Sequence, residues 1–114
     1  FEQVRAAAPQ LAGWLRAVNP VGYAAAYRAF AGGDATYADA WPQISCPVLA
    51  LTGALDANSS PAMARAMAAA APRGRAVMIE GHRHMVNLTA PEAVTAALAD
   101  WLAEPVVTTE GLRA

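Results

Sequence analysis

Two side chains in this sequence have the types and the placement that proton-transfer chemistry requires. Asp56 ends an apolar run over residues 46–56, and His84 closes a second run that begins at Arg75. Each would stand just beyond the carboxyl end of a strand, the edge at which open α/β sheets place their chemistry. A carboxylate that holds an imidazole in one tautomer lets it accept a proton from a nucleophile. The pair therefore predicts acid/base chemistry at this edge.

The sequence around the pair alternates between strand and helix patterns. Residues 48–52 form an uninterrupted apolar run, which is typical of a parallel strand covered on both faces. A helix is predicted to begin at Pro61, where Ser60 can cap it. Its buried stripe is predicted to consist of Met63, Ala66, Met67 and Ala70. After a turn at Gly74, a second strand is predicted near residues 76–79.

A last helix follows the segment that carries the histidines. Thr89 and Glu92 have the spacing of a capping box, in which each side chain would accept a hydrogen bond from the other residue's free amide. The helix after them is predicted to turn an apolar face to the core, made of Val94, Ala97, Leu98 and Trp101. The pair of strands and this helix together predict an α/β fold.

The amino-terminal third of the chain shows helical spacing of apolar residues. One helix face would contain Phe1, Val4, Ala8, Leu11, Leu15 and Val18. Pro9 lies within this pattern, so the helix is either kinked there or begins near it. Asn19 can cap a second helix, which Gly33 ends. A chain that opens inside a helix without methionine is expected to be a piece of something longer, with a processed mature start as the alternative.

Three segments in a fixed order carry a family resemblance. Residues 46–56 look like a penultimate strand with a Gly-x-x-Asp ending, residues 81–88 look like a loop with a catalytic histidine, and residues 90–94 look like the start of a last helix. Residues 44–102 thus resemble the carboxyl-terminal part of α/β-hydrolase fold enzymes. The resemblance implies the last two parallel strands of that fold with flanking helices, plus the remnant of a helical cap.

By this resemblance, Asp56 is the acid of a catalytic triad and His84 is its general base and acid. The family's chain order places the nucleophile, on a Gly-x-Ser-x-Gly elbow, upstream of Phe1. The implied function is hydrolysis of an ester, a lactone or a related carbonyl substrate through an acyl-enzyme. No cofactor is implied. The expected partners are a small-molecule substrate and the amino-terminal half of the hydrolase, in the same or a second chain.

The resemblance also divides the chain. Residues 1–33 would be the end of the cap, residues 34–104 the carboxyl-terminal part of the core, and residues 105–114 a loose tail. In the cap, four aromatic side chains could line a substrate pocket, although plain core packing produces the same spacing. These aromatic residues are Trp14, Tyr23, Tyr27 and Phe30.

Several alternatives stay open at this point. Asp56 could be only a turn former or a helix cap, and His82 is a rival to His84 for the role of base. The two histidines could belong to a metal site, but no third ligand stands at a suitable spacing. A nucleophilic aspartate in the same fold would give a dehalogenase or an epoxide hydrolase. An acyltransferase and a non-catalytic protein that binds a ligand or partner are further alternatives.

Composition and charge restrict the remaining functions. The formal net charge is −1, and the eight basic residues are arginines without a cluster, which argues against nucleic acid or an anionic membrane as partner. The longest apolar stretches fall short of the ~20 residues that span a bilayer. The single cysteine, Cys46, excludes an internal disulfide and is expected to be a small buried residue. A cytoplasmic location is the simplest expectation.

Overall fold

The computed structural model describes residues 2–33 and 36–105. Parallel strands and helices alternate along the second half of the chain, and two helices precede them. The elements, in chain order, are α1 (Glu2–Ala17), α2 (Pro20–Gly33), a 3-10 helix (Ala38–Gln43), β1 (Val48–Gly53), α3 (Pro61–Ala70), β2 (Gly74–Ile79), α4 (Val86–Thr89) and α5 (Pro91–Ala103). The predicted tail, beyond Pro105, and Phe1 lie outside the described residues.

The two strands form a parallel pair with α3 as the connection between them. Val48 lies opposite Gly74, and the register continues without a bulge to Gly53 opposite Ile79. The strand that was predicted to begin near Ala76 therefore starts two residues earlier, because Gly74 already pairs with β1. Helix α3 packs on both strands. This arrangement confirms the predicted strand, helix, strand unit and brings the carboxyl ends of both strands to one edge.

The predicted buried stripe of α3 is wrong. Met63 and Met67 are 48% and 40% exposed, and Ala66 and Ala70 are exposed as well. The side chain that α3 buries is Ala64, and Ala71 is buried just after the helix. In an alanine-rich helix every face is apolar, so periodicity does not specify which one meets the sheet. Small side chains at the contact let the helix approach the strands closely, and the methionines lie beside the contact.

The predicted capping box at Thr89 and Glu92 is also wrong. Thr89 is the last residue of α4, a short helix that the sequence did not predict, and Ala90 is the N-cap of α5. Among the described residues, no side chain caps α5. The hydroxyl of Thr89 instead lies 2.8 Å from Nδ1 of His82. Along α5, Ala97 is buried as expected, whereas Leu98 is 42% exposed.

Helices α1 and α2 occupy the segment that was assigned to the cap. Helix α1 continues through Pro9, which excludes the alternative in which the helix begins near that proline. Asn19 caps α2 as predicted, because its side-chain oxygen accepts from the amides of Val21 and Gly22 at 3.0 and 3.1 Å. The ring centroids of Tyr23 and Tyr27 are 5.4 Å apart. This face is exposed and contributes nothing to a core within the described residues.

The core of the described residues is thin. Its buried apolar members are four alanines and one valine: Ala64, Ala71, Val86, Ala90 and Ala97. The radius of gyration is 17.4 Å, against about 13 Å expected for a compact domain of this length. Cys46 is exposed, contrary to expectation, because it lies in the turn before β1 begins to pair. The faces of these elements are therefore largely open.

Candidate active site

Asp56 is held by the turn that follows β1. The side chain is 2% exposed, and its Oδ1 accepts hydrogen bonds from the amides of Asn58 and Ser59 at 2.8 and 2.9 Å. The Asp56 amide itself donates to the carbonyl of Gly53 at 3.0 Å. These bonds form a tight turn that fixes the orientation of the carboxylate. The turn-forming role that was considered for Asp56 is therefore real, and it uses only one of the two carboxylate oxygens.

The second carboxylate oxygen faces the histidine loop. Oδ2 of Asp56 lies 2.9 Å from Nδ1 of His84, although 28 positions separate the two residues. Since a carboxylate can only accept, Nδ1 of His84 carries the proton and donates it. The structure thus brings together the two residues that were singled out from the sequence.

Thr52 adds a weaker contact from the end of β1. Its hydroxyl lies 3.2 Å from Oδ2 of Asp56 and 2.8 Å from the carbonyl oxygen of Ser59. A hydroxyl has one proton to donate, so the shorter contact to Ser59 takes the larger share. Thr52 mainly fastens the turn to the strand.

The hydrogen bonds around Asp56 control its ionisation. Burial alone would raise the pKa of this carboxyl. The hydrogen bonds from His84, from the amides of Asn58 and Ser59 and from Thr52 lower the pKa by more than burial raises it. The net effect holds the pKa of Asp56 below its ordinary value. The carboxylate is therefore charged at neutral pH, which is the state that can orient an imidazole and stabilise an imidazolium.

The imidazole of His84 differs from its partner in exposure. Its side chain is 54% exposed, whereas that of Asp56 is 2% exposed. With Nδ1 bound to Asp56, the nitrogen left for other partners is Nε2, which makes no hydrogen bond within the described residues. The pair can therefore take up a proton from a group that approaches from outside the turn, which is the geometry of a general base.

His82, the rival for the role of base, has a different partner. Its Nδ1 lies 2.8 Å from the hydroxyl of Thr89, and its side chain makes no hydrogen bond to Asp56. Within residues 2–33 and 36–105, no three metal-ligating side chains come together. The geometry thus favours His84 over His82.

Two kinds of comparison with known proteins agree on the family. Residues 2–97 match the profile of the Alpha/beta hydrolase family. The chain is 56% identical over 89 residues to the (E)-2-((N-methylformamido)methylene)succinate hydrolase of Acinetobacter baylyi, a match that covers 78% of this chain and 34% of that protein. The chain belongs to the α/β-hydrolase family, and it spans about a third of the length of this curated relative.

A solved structure supports the same conclusion. A thermophilic esterase from Thermogutta terrifontis, with malate bound, superposes with a TM-score of 0.56 at 39% identity, over 58% of this chain and 24% of the esterase chain. The described residues are therefore a part of the α/β-hydrolase fold, as the sequence predicted. No helix in the described part of the chain is long and apolar enough to cross a membrane.

Sequence reasoning missed the part that Thr89 plays near the site. Its spacing to Glu92 indicated a helix cap, which drew attention away from the histidine loop. The sequence did contain a signal. Pro91 favours the first position of a helix, so Thr89, two positions earlier, lies before that helix begins. Its hydroxyl is then free of the α5 amides and can reach back to the loop.

Proposed function

We propose that Asp56 and His84 are the acid and the base of a catalytic triad in a hydrolase that cleaves an ester, a lactone or a related carbonyl compound through an acyl-enzyme. The observation that supports this most directly is the 2.9 Å contact between Asp56 Oδ2 and His84 Nδ1 at the carboxyl edge of the sheet. The half-exposed ring above a buried carboxylate supports it further. Family membership supplies the order nucleophile, acid, histidine.

In this mechanism each residue has a defined task. Nε2 of His84 takes the proton of a serine hydroxyl as its oxygen bonds to the substrate carbonyl carbon, and the carbonyl electron pair moves to oxygen. His84 then gives that proton to the leaving group, and the acyl-enzyme forms. A water molecule repeats the sequence and releases the acid product. Asp56 stays ionised throughout and stabilises the imidazolium.

We assign two roles to one upstream segment: it carries the nucleophile, and it packs against the exposed edge of the sheet. Within the described residues, β1 pairs only with β2, so its other edge is open. An apolar groove runs along β1 and α3, bordered by Leu51, Met63 and Met67. Open strand edges and exposed methionines on this scale are normally covered. We propose that the amino-terminal half of the hydrolase covers them and carries the serine.

Helices α1 and α2 are proposed to be the end of a cap over this site. Their large side chains are exposed instead of packed, with Trp14 at 51% and Phe30 at 69%. An open, mostly apolar depression where the two helices meet is lined by Leu15, Val18, Pro20 and Tyr23. Once covered by the rest of the hydrolase, such a surface would suit the uncharged part of a small substrate.

The substrate to test first follows from the curated relative. That protein is named for hydrolysis of (E)-2-((N-methylformamido)methylene)succinate, and it is 56% identical to this chain over 89 residues. We propose that compound, together with a generic aryl ester, as the starting panel. Both should be offered to the complete polypeptide that carries this sequence. Turnover of a haloalkane or an epoxide instead of these carbonyl compounds would point to an aspartate nucleophile.

The decisive variant is His84→Ala. We expect turnover of the aryl ester to fall by about 10⁴-fold or more, since the base of a triad acts as a unit with its nucleophile. Added imidazole should restore part of the activity, because it can occupy the space that the ring leaves. An unchanged thermal transition will show that the fold is intact. Full activity of His84→Ala would end the triad assignment.

A further inference from the structure

Two contacts hold the histidine loop, residues 82–89, in place. One anchor is a backbone bond, in which the amide of Leu55 donates to the carbonyl of His82 at 2.9 Å. Leu55 stands next to Asp56, so this bond ties the histidine loop directly to the turn of the acid. The carbonyl of His82 therefore sets how far the two turns stand apart.

Gly53 makes this anchor possible. A Cβ at this position would overlap the carbonyl oxygens of His82 and Arg83. The strand end and the histidine loop are thus in backbone contact, with no side chain between them. The carbonyl of Gly53 also accepts a hydrogen bond from the amide of Asp56. The turn that holds Asp56 (the acid turn) and the loop that carries His84 (the histidine loop) therefore meet at Gly53.

The second anchor is a side-chain contact. Nδ1 of His82 and the hydroxyl of Thr89 are 2.8 Å apart and both residues are half-buried. Residues 83–88, which include His84, lie between the two partners. The contact therefore closes the loop, and it holds the start of the loop against the carboxyl end of α4. Val86, inside the closed segment, is buried.

We propose that His82 is a positioning residue that holds His84 on Asp56 through its side-chain bond to Thr89. This inference rests on the proposed function, since it assigns a role in the same site. The side chain of His82 makes no hydrogen bond to Asp56 or to His84. It acts by restricting where the loop can place the imidazole of His84.

The test compares variants that keep or remove the bonding groups in the complete polypeptide. Thr89→Val removes the hydroxyl at nearly constant volume, and Thr89→Ser restores it. His82→Phe removes the nitrogen, and His82→Asn keeps a polar group near the position of Nδ1. Thr95→Val is the matched control, since Thr95 is exposed on α5. Melting curves show which variants are folded.

We expect Thr89→Val and His82→Phe each to lower kcat by about 10- to 100-fold with little change in KM, because a displaced catalytic group reduces the reaction rate more than binding. The double variant should be no worse than either single variant, as expected for two partners of one bond. Thr89→Ser and Thr95→Val should stay near wild type. Equal losses in Thr89→Val and Thr89→Ser would overturn the proposal, since shape and not the bond would then matter.

A readout without turnover separates this inference from the proposed function. The proton shared by His84 and Asp56 gives a low-field NMR signal when it is held in a short hydrogen bond. We expect the signal to broaden or shift in Thr89→Val and to return in Thr89→Ser. An unchanged signal in Thr89→Val and His82→Phe overturns the positioning role, even if no substrate is turned over. An inactive wild type with the expected signal changes would overturn only the proposed function.

Discussion

The substitution Asp56→Asn tests the division of labour between the two carboxylate oxygens. Oδ1 accepts from the amides of Asn58 and Ser59. An asparagine must place its only oxygen there, because its amide nitrogen cannot accept from those donors. Its NH₂ group is then forced toward Nδ1 of His84, where the carboxylate oxygen stood 2.9 Å away. The substitution keeps the turn and reverses the polarity of the contact that orients the imidazole.

This reversal has a calculable consequence for the base. Facing a donor, Nδ1 of His84 must accept, so the proton moves to Nε2, and the nitrogen that should take the proton of the nucleophile is blocked. The same change of tautomer in the serine protease template lowers turnover by about 10⁴-fold, which corresponds to about 5.5 kcal/mol of transition-state stabilisation. We expect a loss of that size in kcat, with KM nearly unchanged.

The assay is steady-state hydrolysis of an aryl ester by the complete polypeptide. Asp100→Asn is the control, since it makes the same chemical change on the exposed face of α5. Thermal melting should show that both variants are folded, because the Asn58 and Ser59 bonds survive in both. Asp56→Asn should be the less stable of the two at neutral pH, because it loses the charged carboxylate whose pKa is lowered on folding. If Asp56→Asn keeps more than a tenth of wild-type activity, the orientation argument is refuted.

Three further predictions concern the end of β1, the charge of Asp56 and the stability of the isolated chain. Gly53→Ala should destabilise the folded state by about 2 kcal/mol or more and reduce activity, because the added Cβ meets the carbonyls of His82 and Arg83. Chemical denaturation measures the loss, and Gly13→Ala is the control, because a Cβ at Gly13 meets open space. Since the pKa of Asp56 is lowered on folding, its contribution to stability is present above the ordinary carboxyl pKa of about 3.9 and is lost as pH falls through the folded value. The difference in unfolding free energy between wild type and Asp56→Asn should therefore shrink in acid, and a constant difference would contradict the shift. Residues 1–114 alone should not melt cooperatively, because the core that the described residues form is small, and a sharp monomeric transition in calorimetry would refute this.

The strands and the site could be predicted from sequence because their signals are local. The apolar run over residues 48–52 and the Gly-x-x-Asp ending specify a strand and the turn after it. The expected cover on both faces is not found within the described residues, where residues 48–51 are half-buried and only the end of the strand is buried. Asp56 and His84 were placed at one edge because parallel strands share their carboxyl ends. The wrong stripe on α3 and the exposure of Cys46 have another origin. Burial at these positions depends on which other segment packs against them, and neither alanine periodicity nor residue type encodes that partner.

The bonds that define the acid and the base lie within residues 52–89, and they join the end of β1, the acid turn, the histidine loop and α4. The pair is thus held by short contacts among groups of residues 52–89. A nucleophile on an upstream segment would be placed differently, through the open edge of β1 and the groove beside Met63 and Met67. The distance from that nucleophile to His84 then depends on packing across the strand edge. Substitutions in the groove, such as Met67→Ala, should therefore lower activity without disturbing the Asp56 to His84 proton signal, whereas changes at His82 or Thr89 should disturb both.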